Sequence, residues 1–408
     1  MTWLVVILGL ALLILLHELG HFTVARLVGM KPRAFYIGFP PAIVKIERNG
    51  VEYGIGAIPL GGYVRIPGMH RPAGSDFQTL MSDAVDEDPA LRPAVNTVQR
   101  DLDADAFEAA GAALAPVTAE LEQARVSASA RRSAARAVRD VDEGCAPDAY
   151  WRQPTWKRVA VIAAGPLTNV LIAFVLFFAV YATGAPSSTP STEVAQVEAH
   201  TPAAAAGLEE GDRIVAVNHR RTRTFGRVST AIGASRGRPI TVTVQRDGRT
   251  LTLGPRRTIN KNGRWVWGFV PATELVSHPI GASARLAARD CWLVVSGTVA
   301  SVRGLFHSGR GAEISGPVGV VRTSEQFLRV GVQWYLLLLG LISMSLALFN
   351  LLPLLPLDGG HILISLVEGV RGRALPQRVY ERMSTLGITL IMFVTVIAFA
   401  NDLGAAPH

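Results

Sequence analysis

The stretch His17-Glu18-Leu19-Gly20-His21 decides how the rest of this sequence is interpreted, because it reads H-E-x-x-H inside an apolar segment. Residues 3–16 carry no charge, and the segment is long enough for a membrane-crossing helix, which needs about 20 apolar residues. Histidine and glutamate are costly in such a helix unless they have partners. Because residues four apart share one helical face, the two histidines can bind one metal ion and leave Glu18 beside the water that the metal activates. The alternative is a soluble helix that carries these residues by chance, and the apolar setting argues against it.

The composition is typical of a membrane protein. The chain has 408 residues, of which 49% are hydrophobic, and its mean hydropathy is +0.30. These values predict several membrane spans. Cys145 and Cys291 are the only cysteines and lie in different regions, which excludes a disulfide framework and a four-cysteine zinc site.

Charge is distributed unevenly along the chain. The net charge is +8, but residues 70–149 hold 15 acidic residues and 8 arginines, a net charge of −7 that leaves +15 for the remainder. Many of these basic residues flank apolar segments. Anionic lipid and the positive-inside rule explain them more simply than nucleic acid does, so we predict a lipid bilayer and no nucleic acid as partner.

Four apolar segments predict a polytopic α-helical membrane protein. The predicted spans are residues 1–29, 157–183, 333–357 and 384–401. The first has no basic n-region and no small-residue cleavage site, so we expect it to be retained rather than removed as a signal peptide. Its C-terminal flank carries Arg26, Lys31 and Arg33, whereas its N-terminal flank carries no basic side chain, which predicts a cytoplasmic C-terminal end.

Residues 30–69 are predicted to form a membrane-associated β region on the cytoplasmic side. Two alternating segments flank Asn49-Gly50, which is typical of a hairpin turn. A small cytoplasmic sheet is one interpretation. The other is a sheet that lies against the membrane beside the metal, where its exposed edge could hold an extended substrate by strand addition.

Residues 70–150 form an acidic, alanine-rich insertion. Two helix-like stretches, near residues 97–114 and 117–140, have weak apolar faces. The pattern favours a mobile or partly helical cytoplasmic insertion, which costs little because loop-closure entropy grows slowly with length.

The region after the second span is expected to be extracytoplasmic, because successive spans alternate in direction. Within residues 190–258, a strand precedes Pro202-Ala203 and Ala206-Gly207-Leu208, Gly211-Asp212 forms a turn, and Asp247-Gly248 joins two further strands. The pattern resembles a PDZ domain of the kind found in bacterial proteases. The resemblance implies a groove for an extended peptide, and a rigid spacer or size filter is the alternative. We interpret residues 259–331 as a linker with an interfacial amphipathic helix over 281–306.

Two positions near the predicted spans leave a choice open. Gly165 and Asn169 have G-x-x-x-N spacing in the second span, which favours close helix packing over a direct contact between Asn169 and substrate. A catalytic zinc keeps three protein ligands and one open position. Asp358 and His361 are both candidates for the third ligand, because both follow the third span on the predicted cytoplasmic side.

Taken together, these motifs resemble those of bacterial site-2 proteases of the regulator of sigma-E protease type. The matching motifs are H-E-L-G-H at 17–21, A-G-P-x-x-N at 164–169, N-x-x-P-x-x-x-L-D-G at 350–359 and the PDZ-like domain. The match covers the whole chain except the insertion, which departs from a short loop in the family.

The resemblance implies an intramembrane zinc metalloprotease in the bacterial inner membrane, with the PDZ-like domain outside. It assigns Asp358 as the third Zn²⁺ ligand beside His17 and His21, Glu18 as general base, and Asn350 as a group that holds the substrate backbone. The implied substrates are single-span membrane proteins trimmed beforehand by another protease, such as anti-sigma factors or signal-peptide remnants.

Two other classes of protein are considered. A metal transporter would carry acidic or histidine residues in its second and fourth spans, and neither has any. A catalytically silent PDZ scaffold would lack Glu18 or a ligand, and all of these are present.

Overall fold

The computed structural model describes residues 2–261, 263–308, 317–375 and 377–404. They fall into two compact units: Met1–Leu176, Arg289–Val330 and Leu338–His408 form the first, and Phe177–Ala288 with Gly331–Leu337 form the second. The α-helices are α1 (Thr2–Leu27), α2 (Gly74–Glu87), α3 (Arg92–Asp103), α4 (Phe107–Ala112), α5 (Leu114–Gln123), α6 (Ala128–Cys145), α7 (Thr155–Thr183), α8 (Pro202–Ala205), α9 (Phe225–Ala234), α10 (Ile280–Ser308), α11 (Pro317–Val330), α12 (Val332–Asn350), α13 (Asp358–Arg371) and α14 (Gln377–Gly404). The strands are β1 (Ala34–Arg48), β2 (Val51–Arg65), β3 (Ala185–Val197), β4 (Arg213–Val217), β5 (Arg220–Arg221), β6 (Pro239–Arg246), β7 (Arg249–Arg257), β8 (Ile259–Lys261), β9 (Arg264–Val266) and β10 (Phe269–Val276).

Four helices among the described residues are long and apolar enough to cross a membrane: α1, α7, α12 and the Val379–Ala400 part of α14. They coincide with the four predicted spans and fit a polytopic membrane protein. One predicted boundary is wrong, because α12 ends at Asn350 and does not continue to residue 357. Pro353 and Pro356 explain the break, since proline lacks a backbone N–H and disfavours helical geometry in the residue before it.

The β region predicted at residues 30–69 folds as a sheet of four segments, two from β1 and two from β2. Asn49 and Gly50 both have positive φ, as a tight hairpin turn requires, and residues 42–48 pair with 51–56 across it. The other side of 51–56 pairs with residues 34–37, which then pair with 62–65. The four segments are thus ordered 42–48, 51–56, 34–37, 62–65. Within the described chain, 62–65 pairs on one side only, so its other edge is free.

Residues 74–145 form a packed helical bundle, α2 to α6. This finding differs from the mobile or partly helical insertion that the sequence favours. Large side chains such as Phe77, Met81 and Leu91 are buried in one core together with six alanines: Ala84, Ala110, Ala124, Ala130, Ala134 and Ala137. The apolar faces look weak in the sequence because alanine, which makes up much of the buried face, has little apolar surface.

The second unit contains a sheet in the order β10-β3-β4-β6-β7, with β5 paired to β4. The predicted hairpin at Asp247-Gly248 joins β6 to β7, and both turn residues have positive φ. The sheet extends beyond the boundary predicted at residue 258, because β10 pairs with β3 and Trp267 is buried in the core. The linker predicted from residue 259 onward is therefore corrected over residues 264–276, which contain β9 and β10.

The remaining part of the predicted linker contains α10, which covers the stretch expected to be an amphipathic helix. α10 is not among the four candidate spans of the described chain. Residues 309–316 of the same predicted linker lie outside the described residues.

Candidate metal centre

Three potential ligands converge in the first unit. Asp358 Oδ2 lies 3.3 Å from His17 Nε2 and 3.4 Å from His21 Nε2, and the two Nε2 atoms are 3.3 Å apart. The two histidines are buried, and Asp358 is mostly so. Among the described residues these three form the one group of histidine, cysteine or acidic side chains whose ligand atoms all lie within 4.8 Å of one another.

Glycines bring α1 and α7 into contact at this point. A Cβ at Gly165 on α7 would collide with the rings of His17 and His21, and a Cβ at Gly20 on α1 would collide with Thr168 and the Ala164 carbonyl. Small residues at both positions let the helices approach closely, as is usual between membrane helices. The predicted packing role of the G-x-x-x-N motif therefore agrees with the position of Gly165.

The second nitrogen of each imidazole contacts α7. His21 Nδ1 lies 2.9 Å from the Val161 carbonyl oxygen, and His17 Nδ1 lies 3.0 Å from the side-chain amide of Asn169. Asn169 is fully buried, and its backbone carbonyl accepts a hydrogen bond of 2.8 Å from the Ser343 hydroxyl on α12. Since both Nδ1 atoms are engaged, both Nε2 atoms face Asp358.

Asp358 owes its position to the break after α12. It is the first residue of α13, so its carboxylate sits at a helix N-terminus, where negative charge is favoured. The two glycines that follow are required by packing, because a Cβ at Gly359 or Gly360 would collide with the backbone of residues 351–355. The L-D-G-G sequence thus lets an irregular segment fold back onto the start of a helix.

A buried polar cluster fixes α13 against α7. Arg158 donates a hydrogen bond of 2.6 Å to Glu368, and each side chain is 7% exposed. Glu368 also accepts hydrogen bonds from the Tyr380 hydroxyl at 2.9 Å and the Leu375 backbone N–H at 2.8 Å. Tyr150 and Ser365 add a hydroxyl–hydroxyl hydrogen bond of 3.0 Å. Sequence reasoning missed this cluster. The signal available in the sequence is that the acidic Glu368 directly follows the largely apolar stretch 362–367.

Glu18 and the β region meet at one point. A Cβ at Gly62 would collide with the Glu18 side chain, so the free-edged segment 62–65 begins against the residue predicted to be the general base. Glu18 is half-buried, on the turn between the two histidines.

The structure separates the two candidates for the third ligand. Asp358 joins the histidine pair, whereas His361 stacks near His70, with ring centroids 6.3 Å apart. Asn350 is the half-buried last residue of α12. Asn350 and Asp358 do not share a helix, because residues 351–357 between them are not helical.

The donor set fits a zinc ion. Two imidazole nitrogens and one carboxylate oxygen are the kind of three-ligand set that catalytic zinc sites use. Asp358 Oδ2 is buried and accepts no hydrogen bond from the described residues, although a buried carboxylate oxygen ordinarily has a partner. A cation between these three atoms would supply that partner.

Comparison with known proteins agrees with this geometry. The family model described as peptidase family M50 matches residues 5–394. A putative zinc metalloprotease of Agrobacterium fabrum is 30% identical over 417 residues, covering 98% of this chain and 94% of the relative. The regulator of sigma-W protease RasP of Bacillus subtilis is 27% identical, covering 96% of this chain and 95% of its own length. The probable protease Eep of Enterococcus faecalis is 27% identical, with 96% of each chain covered. The chain therefore belongs to peptidase family M50, the site-2 proteases, and is a zinc-dependent intramembrane metalloendopeptidase.

Proposed function

We propose that His17, His21 and Asp358 bind the zinc ion and that Glu18 is the general base for peptide-bond hydrolysis within the membrane. The observation that carries this proposal is the convergence of the three ligand atoms within 4.8 Å of one another, beside Glu18 on the helix that carries both histidines. Zinc in such a site activates a water molecule and polarises the scissile carbonyl.

The protein groups around the site have separate roles in this mechanism. Glu18 takes the proton from the attacking water and returns it to the leaving amine, which is ordinary general acid–base work. The Val161 carbonyl accepts the Nδ1 proton of His21, so that Nε2 is free to bind metal. Asn169 can play the same role for His17. Its Oδ1 atom has no hydrogen-bond partner among the described residues, and a half-turn of the side-chain amide would let Oδ1 accept the Nδ1 proton of His17. This orienting role replaces the substrate contact considered for Asn169.

The free edge of residues 62–65 is suited to hold the unwound substrate. An α-helix hides its amides in internal hydrogen bonds, so a substrate helix must open before hydrolysis. An extended segment paired along this edge would pass Glu18 at Gly62. Asn350 is proposed to bind the backbone of the same segment from the end of α12, in keeping with the family resemblance.

We assign the C-terminal end of α1, with the metal centre, to the cytoplasmic side of the bacterial inner membrane. We assign the second unit, as a PDZ-like module, to the extracytoplasmic side. The basic residues that follow α1 and precede α7 support this orientation. The module would then gate access, admitting single-span substrates that another protease has trimmed. Removing residues 191–257 should permit cleavage of untrimmed substrates while sparing trimmed ones. Loss of trimmed-substrate cleavage in a zinc-loaded deletion would instead make the module an essential docking site.

The proposal is tested by comparing the purified wild type with Glu18→Gln on a tagged single-span substrate. The variant should retain one zinc per chain and lose about 10²–10⁴-fold or more in cleavage rate, because an amide cannot accept the proton. Near-normal cleavage by the zinc-loaded variant would remove Glu18 from the mechanism.

A further inference from the structure

A large cleft separates the helical bundle from the part of the first unit that carries Asp358. Its volume is about 1810 Å³. Its bundle wall includes Asp76, Thr79, Asp103 and Asp140, and the opposite wall includes Arg158, His361, Glu368 and Tyr380. Small-molecule sites usually measure about 300–1,000 Å³, so the size of this cleft suits a polypeptide segment better than a metabolite.

The cleft is lined by residues that are close in sequence to those of the metal centre. Gly62 lies against Glu18, and Tyr63 and Arg65 of the same free edge line the cleft. On the other wall, Pro356 and His361 flank Asp358 at distances of two and three residues along the chain. An extended chain that leaves the metal centre along this edge therefore enters the cleft.

The bundle contributes an excess of negative charge to this space. Five of its carboxylates line the cleft: Asp76, Asp103, Asp105, Asp140 and Glu143. Arg71 pairs with Asp105 and Arg65 with Glu143, whereas Arg158 on the opposite wall is already paired with Glu368. Asp140 has an Arg136 partner at 3.6 Å, one turn away on the exposed face of α6. Asp76 and Asp103 form no ion pair with the described residues, and the Asp140–Arg136 pair is exposed and therefore weak, so these three carboxylates carry the negative charge that the bundle wall presents to the cleft.

We propose that this cleft binds the basic cytoplasmic flank of the membrane-protein substrate as an extended chain. The inference rests on the proposed function, which puts the scissile bond at the metal centre and the cleft on its cytoplasmic side. Membrane spans carry excess lysine and arginine on that side, and signal peptides have a positive n-region. An acidic wall complementary to such flanks steers association and selects the substrate. The insertion is thus part of the substrate site.

The test uses three substrates that share one membrane span and differ only in the flank: four lysines, four serines or four glutamates. The enzyme variants are Asp76→Asn/Asp103→Asn/Asp140→Asn and a matched control, Asp83→Asn/Asp86→Asn/Glu122→Gln, whose exposed carboxylates belong to the same bundle but do not line the cleft. Dissociation constants are measured on the Glu18→Gln background, and kcat/KM on the active enzyme, both at low salt.

The cleft variant should lose roughly tenfold in affinity and kcat/KM for the lysine flank and stay within about twofold for the serine flank. The control variant should behave as the wild type does. Replacing the three cleft carboxylates by lysine should transfer the preference to the glutamate flank. High salt should abolish all preferences, because exposed charges more than about 10 Å apart are already largely screened at 0.1 M and the distance shortens as salt is added.

Equal losses in the cleft and control variants would overturn the inference, since they would reflect the overall charge of the bundle. Equal affinity of the wild type for all three flanks would overturn it as well, and would point to another occupant such as a regulatory protein. Neither result would affect the proposed function. That function fails separately if zinc-loaded enzyme cleaves none of the three substrates.

Discussion

Arg158 and Glu368 form a buried ion pair, with 2.6 Å between the guanidinium nitrogen and the carboxylate oxygen. The pair joins α7, which contacts both metal-site histidines, to α13, which begins with Asp358. The geometry of the metal centre thus depends on residues that take no part in the chemistry.

We expect Glu368→Ala to destabilise the protein by about 3–5 kcal/mol, because it leaves the Arg158 charge buried without a partner. It should also weaken zinc binding, since α13 loses its attachment to α7. The double variant Arg158→Met/Glu368→Leu should recover most of the stability, because no charge is left unpaired. Thermal unfolding in detergent and zinc titration measure both effects. A double variant as unstable as the single one would contradict this explanation.

We expect Asp358→Ala to lose zinc and His361→Ala to retain it. Asp358 Oδ2 faces both imidazoles, whereas His361 stacks near His70. The loss should exceed the roughly 10–100-fold that removal of a partner orienting a ligand costs. Metal analysis after dialysis against a chelator gives the answer. Normal zinc in the first variant and loss in the second would exchange the roles of the two residues.

Asn169→Ala should weaken zinc binding about 10–100-fold, because His17 would lose the group that orients its ring. Asn169→Asp should remain close to the wild type, since a carboxylate can accept the same proton. The control is Ser343→Ala, which removes a hydrogen bond to the Asn169 backbone but leaves its side chain intact. If Ser343→Ala and Asn169→Ala weaken zinc binding equally, Asn169 acts through helix packing alone.

The second unit should become less stable in acid through Asp212. This carboxylate is fully buried and accepts hydrogen bonds of 2.7 Å from Arg246. Burial alone would raise its pKa, but the Arg246 hydrogen bonds and charge, with the Glu209 N–H, together hold the pKa of Asp212 below its ordinary value of 3.8. The stabilisation is therefore present above about pH 3.8 and is lost as the pH falls through the lower pKa of the folded state.

Pepsin cleavage within β4 and β6 of the full chain, followed between pH 5 and pH 2, should detect this loss. Asp212→Asn should be cleaved faster at pH 5, with roughly 1–3 kcal/mol of local stability removed. The exposed Glu193–Arg213 pair supplies the control, because Glu193→Gln should change little. An unchanged pH profile in Asp212→Asn would rule out this carboxylate as the source.

Deleting residues 75–145 should leave a folded, membrane-inserted enzyme that binds zinc and cleaves a substrate with an uncharged flank. The bundle has its own core, and its two ends lie close together, since Pro72 contacts Gly144. The preference for basic flanks should disappear with the bundle. Loss of zinc binding in the deletion would show that the bundle supports the catalytic centre itself.

The metal centre was predictable to the extent that local spacing determines it. His17, Glu18 and His21 lie on one helix, so H-E-x-x-H spacing was enough to group them. The choice between Asp358 and His361 was not, because it depends on how an irregular, proline-containing segment folds back onto α13. Neither the Val161 carbonyl nor the Arg158–Glu368 pair leaves a local pattern, since each contact joins segments more than 100 residues apart.

The same limit applies to the two β regions and the bundle. The turns at Asn49-Gly50 and Asp247-Gly248 were predicted because turn chemistry is local. The double use of residues 34–37 and the pairing of β10 with β3 were not, because strand neighbours are chosen by tertiary packing. In the bundle, alanine provides the helix contacts, and its small apolar surface gives a weak signal of which face is buried.

The proposed ligands are separated by more than 300 residues, and this separation has a consequence for how the enzyme is made. At roughly 5–20 residues per second, Asp358 is synthesised on the order of 20 seconds to one minute after His17 and His21. Until then, α1 carries two of the proposed ligands and Glu18, but the third ligand is missing. With the three ligands proposed here, the nascent chain cannot hydrolyse peptide bonds during this interval. Proteolysis then begins only after Asp358 has been synthesised and has joined His17 and His21, so chains truncated before residue 358 are expected to be inactive.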